Sequence, residues 1–145
     1  MKVAIGSDHR GINQRQIIAA AVENVGHQVV DCGTFETTSV DYPDIAAIVA
    51  RHVAEGAADR GILLCGTGIG VSIAANKIHG IRAAVCWDQE TAKLSRQHND
   101  ANVMCLSGER FSEQEFRQLV ETWLQTEFEG GRHAQRVDKI RQLES

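Results

Sequence analysis

An α/β fold, in which a five-stranded parallel sheet is covered by helices on both faces, is predicted by three features of this 145-residue sequence. Short apolar runs alternate five times with longer segments of helical periodicity. The runs read as strands buried on both sides, as in parallel sheets. No repeat, low-complexity run or interdomain linker interrupts the alternation, so residues 1–145 are expected to form one domain.

The first strand runs from Lys2 to Gly6 and ends in Ser7-Asp8-His9-Arg10-Gly11. A helix follows from about Asn13 to Val25, with Ile17, Ile18, Ala21, Val22 and Val25 along one face. Gly26 stops it in the usual glycine C-cap role. His27 to Asp31 is the second strand. Gly33 to Pro43 is a polar loop holding the only proline and the only tyrosine, Tyr42. A helix from about Asp44 to Glu55 comes next. Ile62-Leu63-Leu64 forms a third strand that stops at Cys65. Gly66-Thr67-Gly68-Ile69-Gly70 follows, and a helix begins near Ser72. Ile81 to Cys86 is the fourth strand and about Gln89 to Gln97 the next helix. His98-Asn99-Asp100 comes after that helix and leads to a fifth strand, Asn102 to Leu106. A helix from about Ser112 to Glu127 carries Phe116, Leu119, Val120 and Leu124 at helical spacing. Gly130-Gly131 breaks it, and Arg132 to about Leu143 is a final amphipathic helix.

Composition removes several classes of function. A formal charge of −4 argues against general nucleic-acid binding, which leaves a basic footprint. No apolar run approaches the roughly 18 residues of a membrane span. The chain enters its first strand without a signal peptide, which predicts a cytoplasmic protein. Cys32, Cys65, Cys86 and Cys105 have no C-x-x-C spacing and no clustered histidines beside them. They read as thiols rather than disulfides or zinc ligands. Each falls near the C-terminal end of a predicted strand, the edge that lines the ligand crevice in open α/β sheets.

The candidate chemistry concentrates around Cys65. A cysteine ending an apolar strand is usually a small buried hydrophobe, but only this one is followed by Gly-x-Gly-x-Gly and a helix start. Glycines let backbone amides turn inward, a helix N-terminus holds anions, and the same end favours a thiolate. The loop lacks the dinucleotide spacing and the lysine of a P-loop. An oxyanion or phosphate cradle remains, with a plain tight turn as the bland alternative. Asp8-His9 at the end of the first strand is either a turn cap beside a surface histidine or part of the same crevice. His98 after a helix is either a charge-complementing histidine or a general acid. Arg132 and Arg136, four apart, share a helix face and suit a phosphate dianion. The alternative is a solvated face balanced by Asp138 and Glu144.

Together these segments resemble the family of type B ribose-5-phosphate isomerases and their galactose- and allose-6-phosphate relatives. The resemblance covers nearly the whole chain. Its most specific segments are Gly6-Ser7-Asp8-His9, Asp41-Tyr42-Pro43, Cys65-Gly66-Thr67-Gly68 with Ile73-Ala74-Ala75-Asn76-Lys77, Ser95-Arg96-Gln97-His98-Asn99-Asp100-Ala101-Asn102, and Glu129-Gly130-Gly131-Arg132-His133. The resemblance implies a Rossmann-like three-layer α/β/α sandwich with a C-terminal helix, and a cofactor-free, metal-free aldose–ketose isomerase. It implies that Cys65 moves a proton between C1 and C2 of the opened sugar phosphate. The amides of Gly66, Thr67, Gly68, Ile69 and Gly70 would meet the enediolate oxygen, with Thr67 assisting. By the same resemblance His98 opens the ring, and Asp8 holds ring hydroxyls. His9, Arg132 and Arg136 hold the phosphate, and Asn99, Arg110 and Tyr42 complete the pocket. A homodimer or dimer of dimers is implied, the His98 segment reaching the partner's cysteine loop. One subgroup lacks the cysteine and carries a glutamate where this chain has Val71, so Cys65 is the base the pattern selects. At Gly108-Glu109-Arg110 the chain runs one residue longer than the family pattern. Rival readings are the same chemistry on a hexose or tetrose phosphate, with residues 34–42 and the Trp87 region setting pocket length, or a non-catalytic phosphosugar- or nucleotide-binding module.

Overall fold

The computed structural model describes residues 1–33 and 40–144. Five strands, β1 (Lys2–Ser7), β2 (Gln28–Asp31), β3 (Arg60–Cys65), β4 (Ala83–Val85) and β5 (Val103–Ser107), form one sheet in the order β2-β1-β3-β5-β4. Every pairing is parallel. The helices are α1 (Ile12–Asn24), α2 (Tyr42–Ala54), α3 (Ile69–Ala75), α4 (Gln89–Asn99), α5 (Glu113–Gln125) and α6 (Arg132–Gln142).

Two cores lie on the two faces of the sheet. Ile5, Ile62, Leu64 and Leu106 pack with Ile18 and Val22 of α1 and with Phe116 and Trp123 of α5 on one side. Ala4, Leu63 and Cys105 pack with Val49 of α2 and Val71 of α3 on the other. Successive strand residues point to opposite faces. An unbroken apolar run such as Ile62-Leu63-Leu64 therefore feeds both cores at once, which is why the central strands carry no polar alternation. The three-layer arrangement expected from the sequence is the observed one.

Several element ends depart from the sequence reading, Tyr42 and Pro43 among them, which open α2 rather than lying in the loop before it. The third helix begins at Ile69 rather than near Ser72, because Gly68 takes φ +82° and turns the chain directly into it. Gly70 is therefore helical and the loop proper is short. His98 and Asn99 do not follow the fourth helix but form its last turn, and the reversal falls on Asp100 at φ +47°. The fourth strand pairs only over Ala83–Val85, as an edge strand with one neighbour. Gly26, at φ +89°, ends α1 as expected.

Candidate active site

In open α/β sheets the crevice lies at the carboxyl ends of strands where the chain's winding direction reverses. Here that point falls between β1 and β3. Asp8 and Cys65, one just beyond β1 and one ending β3, line the same cavity of about 30 Å³, together with Gly11, Gly66 and Gly108. A larger groove of about 520 Å³ lies elsewhere, between β4, α6 and the end of α4. Its walls are mainly apolar, with Asn76, Arg82, Asn99 and Glu144 as their polar members. The Cys65 thiol and the Asp8 carboxylate line the smaller crevice.

Cys65 is 9% exposed at the end of a strand hydrogen-bonded on both sides. Gly68 N–H donates to its Sγ at 3.2 Å, and Ile69 N–H donates to Thr67 Oγ1 at 3.1 Å. Two of the expected anion donors are thus engaged within the loop. For the amides of Gly66, Thr67 and Gly70 no acceptor is found among the described residues. Ser107, in register with Cys65, donates from its buried hydroxyl to Gly66 C=O at 2.6 Å. Gly108 N–H donates to Cys65 C=O at 2.8 Å. These bonds fasten the loop to β5.

Glycine is required at 68. Its left-handed backbone is one that L side chains rarely adopt, and a Cβ there would lie 3.0 Å from the Leu106 carbonyl carbon. At Gly70 a Cβ would meet the Tyr42 ring at 2.6 Å, so Tyr42 lies directly over the first turn of α3. Asp8 is the turn cap its alternative reading described, accepting from Arg10 N–H at 3.0 Å. His9 Nδ1 accepts from Val40 N–H at 3.3 Å. Exposed Arg110 stands with Thr67, Ile69, Trp87 and Ser107 around a cavity of about 140 Å³.

The remaining candidates gather at the other end of the molecule. His98, in the last turn of α4, stacks on His133 of α6 with ring centroids 4.3 Å apart and planes inclined by 10°. Glu129 Oε2 lies 3.5 Å from His133 Nε2. Burial and the neighbouring His98 and Arg132 push the His133 imidazole below its ordinary pKa. Arg132 and Arg136 are exposed on α6, and among the described residues neither is ion-paired. Asp138 pairs instead with Arg141, and Glu144 accepts from Gly80 N–H.

Helix α4 runs back against the strands, so His98 sits near the start of β5 while Cys65 is in register with its end, Ser107. The four steps from Gly61 to Cys65 correspond to roughly 13 Å at a strand's ordinary rise. The site residues therefore fall into two groups at opposite sheet edges: Asp8, His9, Tyr42, Cys65–Gly70 and Arg110 at one, His98, Asn99, Arg132 and Arg136 at the other. Of the segment expected to set pocket length, residues 34–39 lie outside the described residues.

Sequence reasoning missed three contributors. Ser107 gave no signal beyond ending a strand. Arg15, only 1% exposed, lies within an otherwise amphipathic helix yet donates to Ser7 Oγ at 2.8 Å and reaches Asp31 Oδ1 at 3.1 Å, bracing the ends of β1 and β2. The sequence shows no clustered histidines, but folding brings His98 and His133 together from positions 35 residues apart (133 − 98).

Three comparisons bear on this arrangement. The profile of the Ribose/Galactose Isomerase family matches residues 3–140. Ribose-5-phosphate isomerase B of Escherichia coli is 48% identical, covering 99% of this chain and 96% of the relative. The solved structure of Clostridium thermocellum ribose-5-phosphate isomerase B is 51% identical, with a TM-score of 0.96 over 99% of this chain and 97% of that one. The Mycoplasma genitalium ribose-5-phosphate isomerase B structure with bound ribulose-5-phosphate is 43% identical, with a TM-score of 0.94 over 99% and 95%.

Proposed function

The chain belongs to the Ribose/Galactose Isomerase family, and from that premise we propose that it interconverts ribose 5-phosphate and ribulose 5-phosphate through a cis-enediolate. The observation that carries the reading is the crevice at the end of β3. There a lightly exposed thiol shares a cavity with Asp8 and Gly66 and accepts from the Gly68 amide of the glycine loop.

Abstracting a proton next to a carbonyl leaves negative charge on oxygen, and fixed donors aimed at that charge stabilise the transition state most. Cys65 takes the proton from one carbon of the opened sugar and returns it to the other. The amides of Gly66, Thr67 and Gly70 receive the enediolate oxygen, with the Thr67 hydroxyl beside them. Gly68 and Ile69 hold the loop in shape. His98 opens the ring as general acid, and Asp8 orients ring hydroxyls. His9, Arg132 and Arg136 hold the phosphate, whose binding away from the reacting carbons supplies orienting energy. Asn99, Arg110 and Tyr42 complete the pocket. Since one chain keeps its two groups at opposite sheet edges, a second copy brings His98 and the arginines to the Cys65 loop. The working unit is a homodimer or a dimer of dimers.

The test is a panel of four-, five- and six-carbon aldose phosphates, assayed with the wild type and Cys65→Ala. Highest kcat/KM on the five-carbon substrate is expected. The variant should keep its fold and its sugar-phosphate binding and lose turnover by about 10² to 10⁴, the usual contribution of a positioned base. Near-normal turnover in the variant would remove Cys65 from the mechanism, and preference for another chain length would reassign the substrate.

A further inference from the structure

Among the described residues, His98, Glu129 and His133 are the one grouping of three metal-ligating side chains, each offering an atom within 4.8 Å of the others. We infer that this cluster is a site for a divalent transition-metal ion of the zinc type, and that occupancy withdraws His98 from ring opening. The effect on turnover rests on the role given to His98 above, whereas the binding itself does not.

The donor set is one that zinc takes. Two imidazoles and a carboxylate, with a fourth position left to solvent, form a recurrent three-ligand zinc arrangement. Bonds of about 2.0–2.2 Å at tetrahedral angles put neighbouring donors roughly 3.3 Å apart. Glu129 Oε2 and His133 Nε2 are 3.5 Å apart before any ion arrives. His98 lies flat against His133, so its ring must rotate out of the stack before both imidazoles can meet one ion.

The backbone holds the three donors in this arrangement. Glu129 N–H donates to Gln97 C=O at 3.1 Å, fastening residue 129 to the last turn of α4. Gly130 and Gly131, at φ +69° and +57°, then turn the chain into α6, and His133 N–H donates to Gly130 C=O at 3.0 Å. His133 is 7% exposed, while the Glu129 side chain is 49% exposed and leaves a route for the ion. The guanidinium groups of Arg132 and Arg136 on the same helix oppose a cation and limit its affinity, and the Glu129 carboxylate offsets part of that repulsion. A metal-bound imidazole nitrogen uses its lone pair on the ion and holds no proton to give, so a loaded site is a blocked acid.

The full-length chain, freed of metal, is titrated with Co²⁺ as wild type, Cys65→Ala, Glu129→Gln and His133→Asn. One tetrahedral Co²⁺ per chain is expected in the wild type and in Cys65→Ala, with visible d–d absorption and no thiolate-to-cobalt charge-transfer band. Losing an outer-shell partner already weakens metal sites about 10–100-fold. Glu129→Gln and His133→Asn should therefore bind at least about tenfold more weakly. Zn²⁺ should inhibit wild-type turnover reversibly on chelation. Glu129→Gln, with metal-free turnover near wild type, should need about tenfold more Zn²⁺ for the same inhibition. Absent binding, unchanged Co²⁺ affinity in Glu129→Gln, or a thiolate band that disappears with Cys65 overturns the inference. A wild type without isomerase activity would overturn the activity reading instead, and the Co²⁺ spectra would still decide the site.

Discussion

Cys65 is 9% exposed at the mouth of the crevice, whereas Cys86 is 1% and Cys105 0% exposed. Burial pushes the Cys86 thiol up to about 11. The same cause raises fully buried Cys105 well above the ordinary range. Half-buried Cys32 is raised as well, by burial first and by the neighbouring Asp31 second. A raised thiol carries less thiolate at neutral pH, and thiolate is the form that reacts. Brief treatment of the folded protein with iodoacetamide near neutrality should modify Cys65 before Cys86 and Cys105, as read by peptide mass spectrometry. Modification of either of those two first would contradict this ordering. The importance of Cys65 was legible because glycines mark a backbone that must turn. Arg15 and Ser107 were not legible, since a helical arginine reads as a solvated charge and a terminal strand serine as nothing. Only the packed fold shows that one braces two strand ends and the other fastens the Cys65 loop.

At the scale of elements, periodicity placed the five strands and six α-helices but neither their ends nor the short 3₁₀ turn over His9–Gly11. Glycine reads as a breaker, so the sequence places Gly70 in a loop, although Gly68 alone makes the turn and α3 is already under way by Ile69. An aspartate at positive φ is uncommon, and Asp100 therefore gave no warning that α4 extends through His98 and Asn99. What holds Asp100 there is tertiary: Arg96 reaches its carboxylate at 2.9 Å and Arg82 at 3.5 Å. Helix α5 shows the opposite case, a start written locally. The Ser112 hydroxyl accepts from Glu115 N–H, and the Glu115 carboxylate accepts from Ser112 N–H, closing a reciprocal cap. Ser112→Ala should lower stability by about 1 kcal/mol, seen as a shifted urea midpoint. Since α5 carries none of the site residues, kcat should not move, and a fall in kcat without a midpoint shift would argue against a purely capping role.

Across the whole molecule, the order β2-β1-β3-β5-β4 decides where chemistry can gather. The class of fold was visible in the chain, and so were most of the candidate site residues, because strand-and-helix alternation and local motifs are sequence-near properties. Their division between two sheet edges was not, since it depends on the direction in which α4 runs past β5. That division makes a further prediction. If Cys65 of one chain works with His98 of another, Cys65→Ala and His98→Ala are each nearly inactive alone. Refolded together in equal amounts they should recover about a quarter of wild-type activity, because half the dimers are mixed and each mixed dimer holds one intact site. No recovery on mixing would place both residues in one chain's site.

The left-handed turn at Asp100, which fixes the end of α4 beside the start of β5, has a consequence in time. If the working unit is the dimer proposed above, a chain can finish folding, with every strand paired, and still be unable to turn over substrate. Competence then arrives by collision, so enzyme renatured from a dilute denatured pool would gain activity after a delay that shortens as more protein is present.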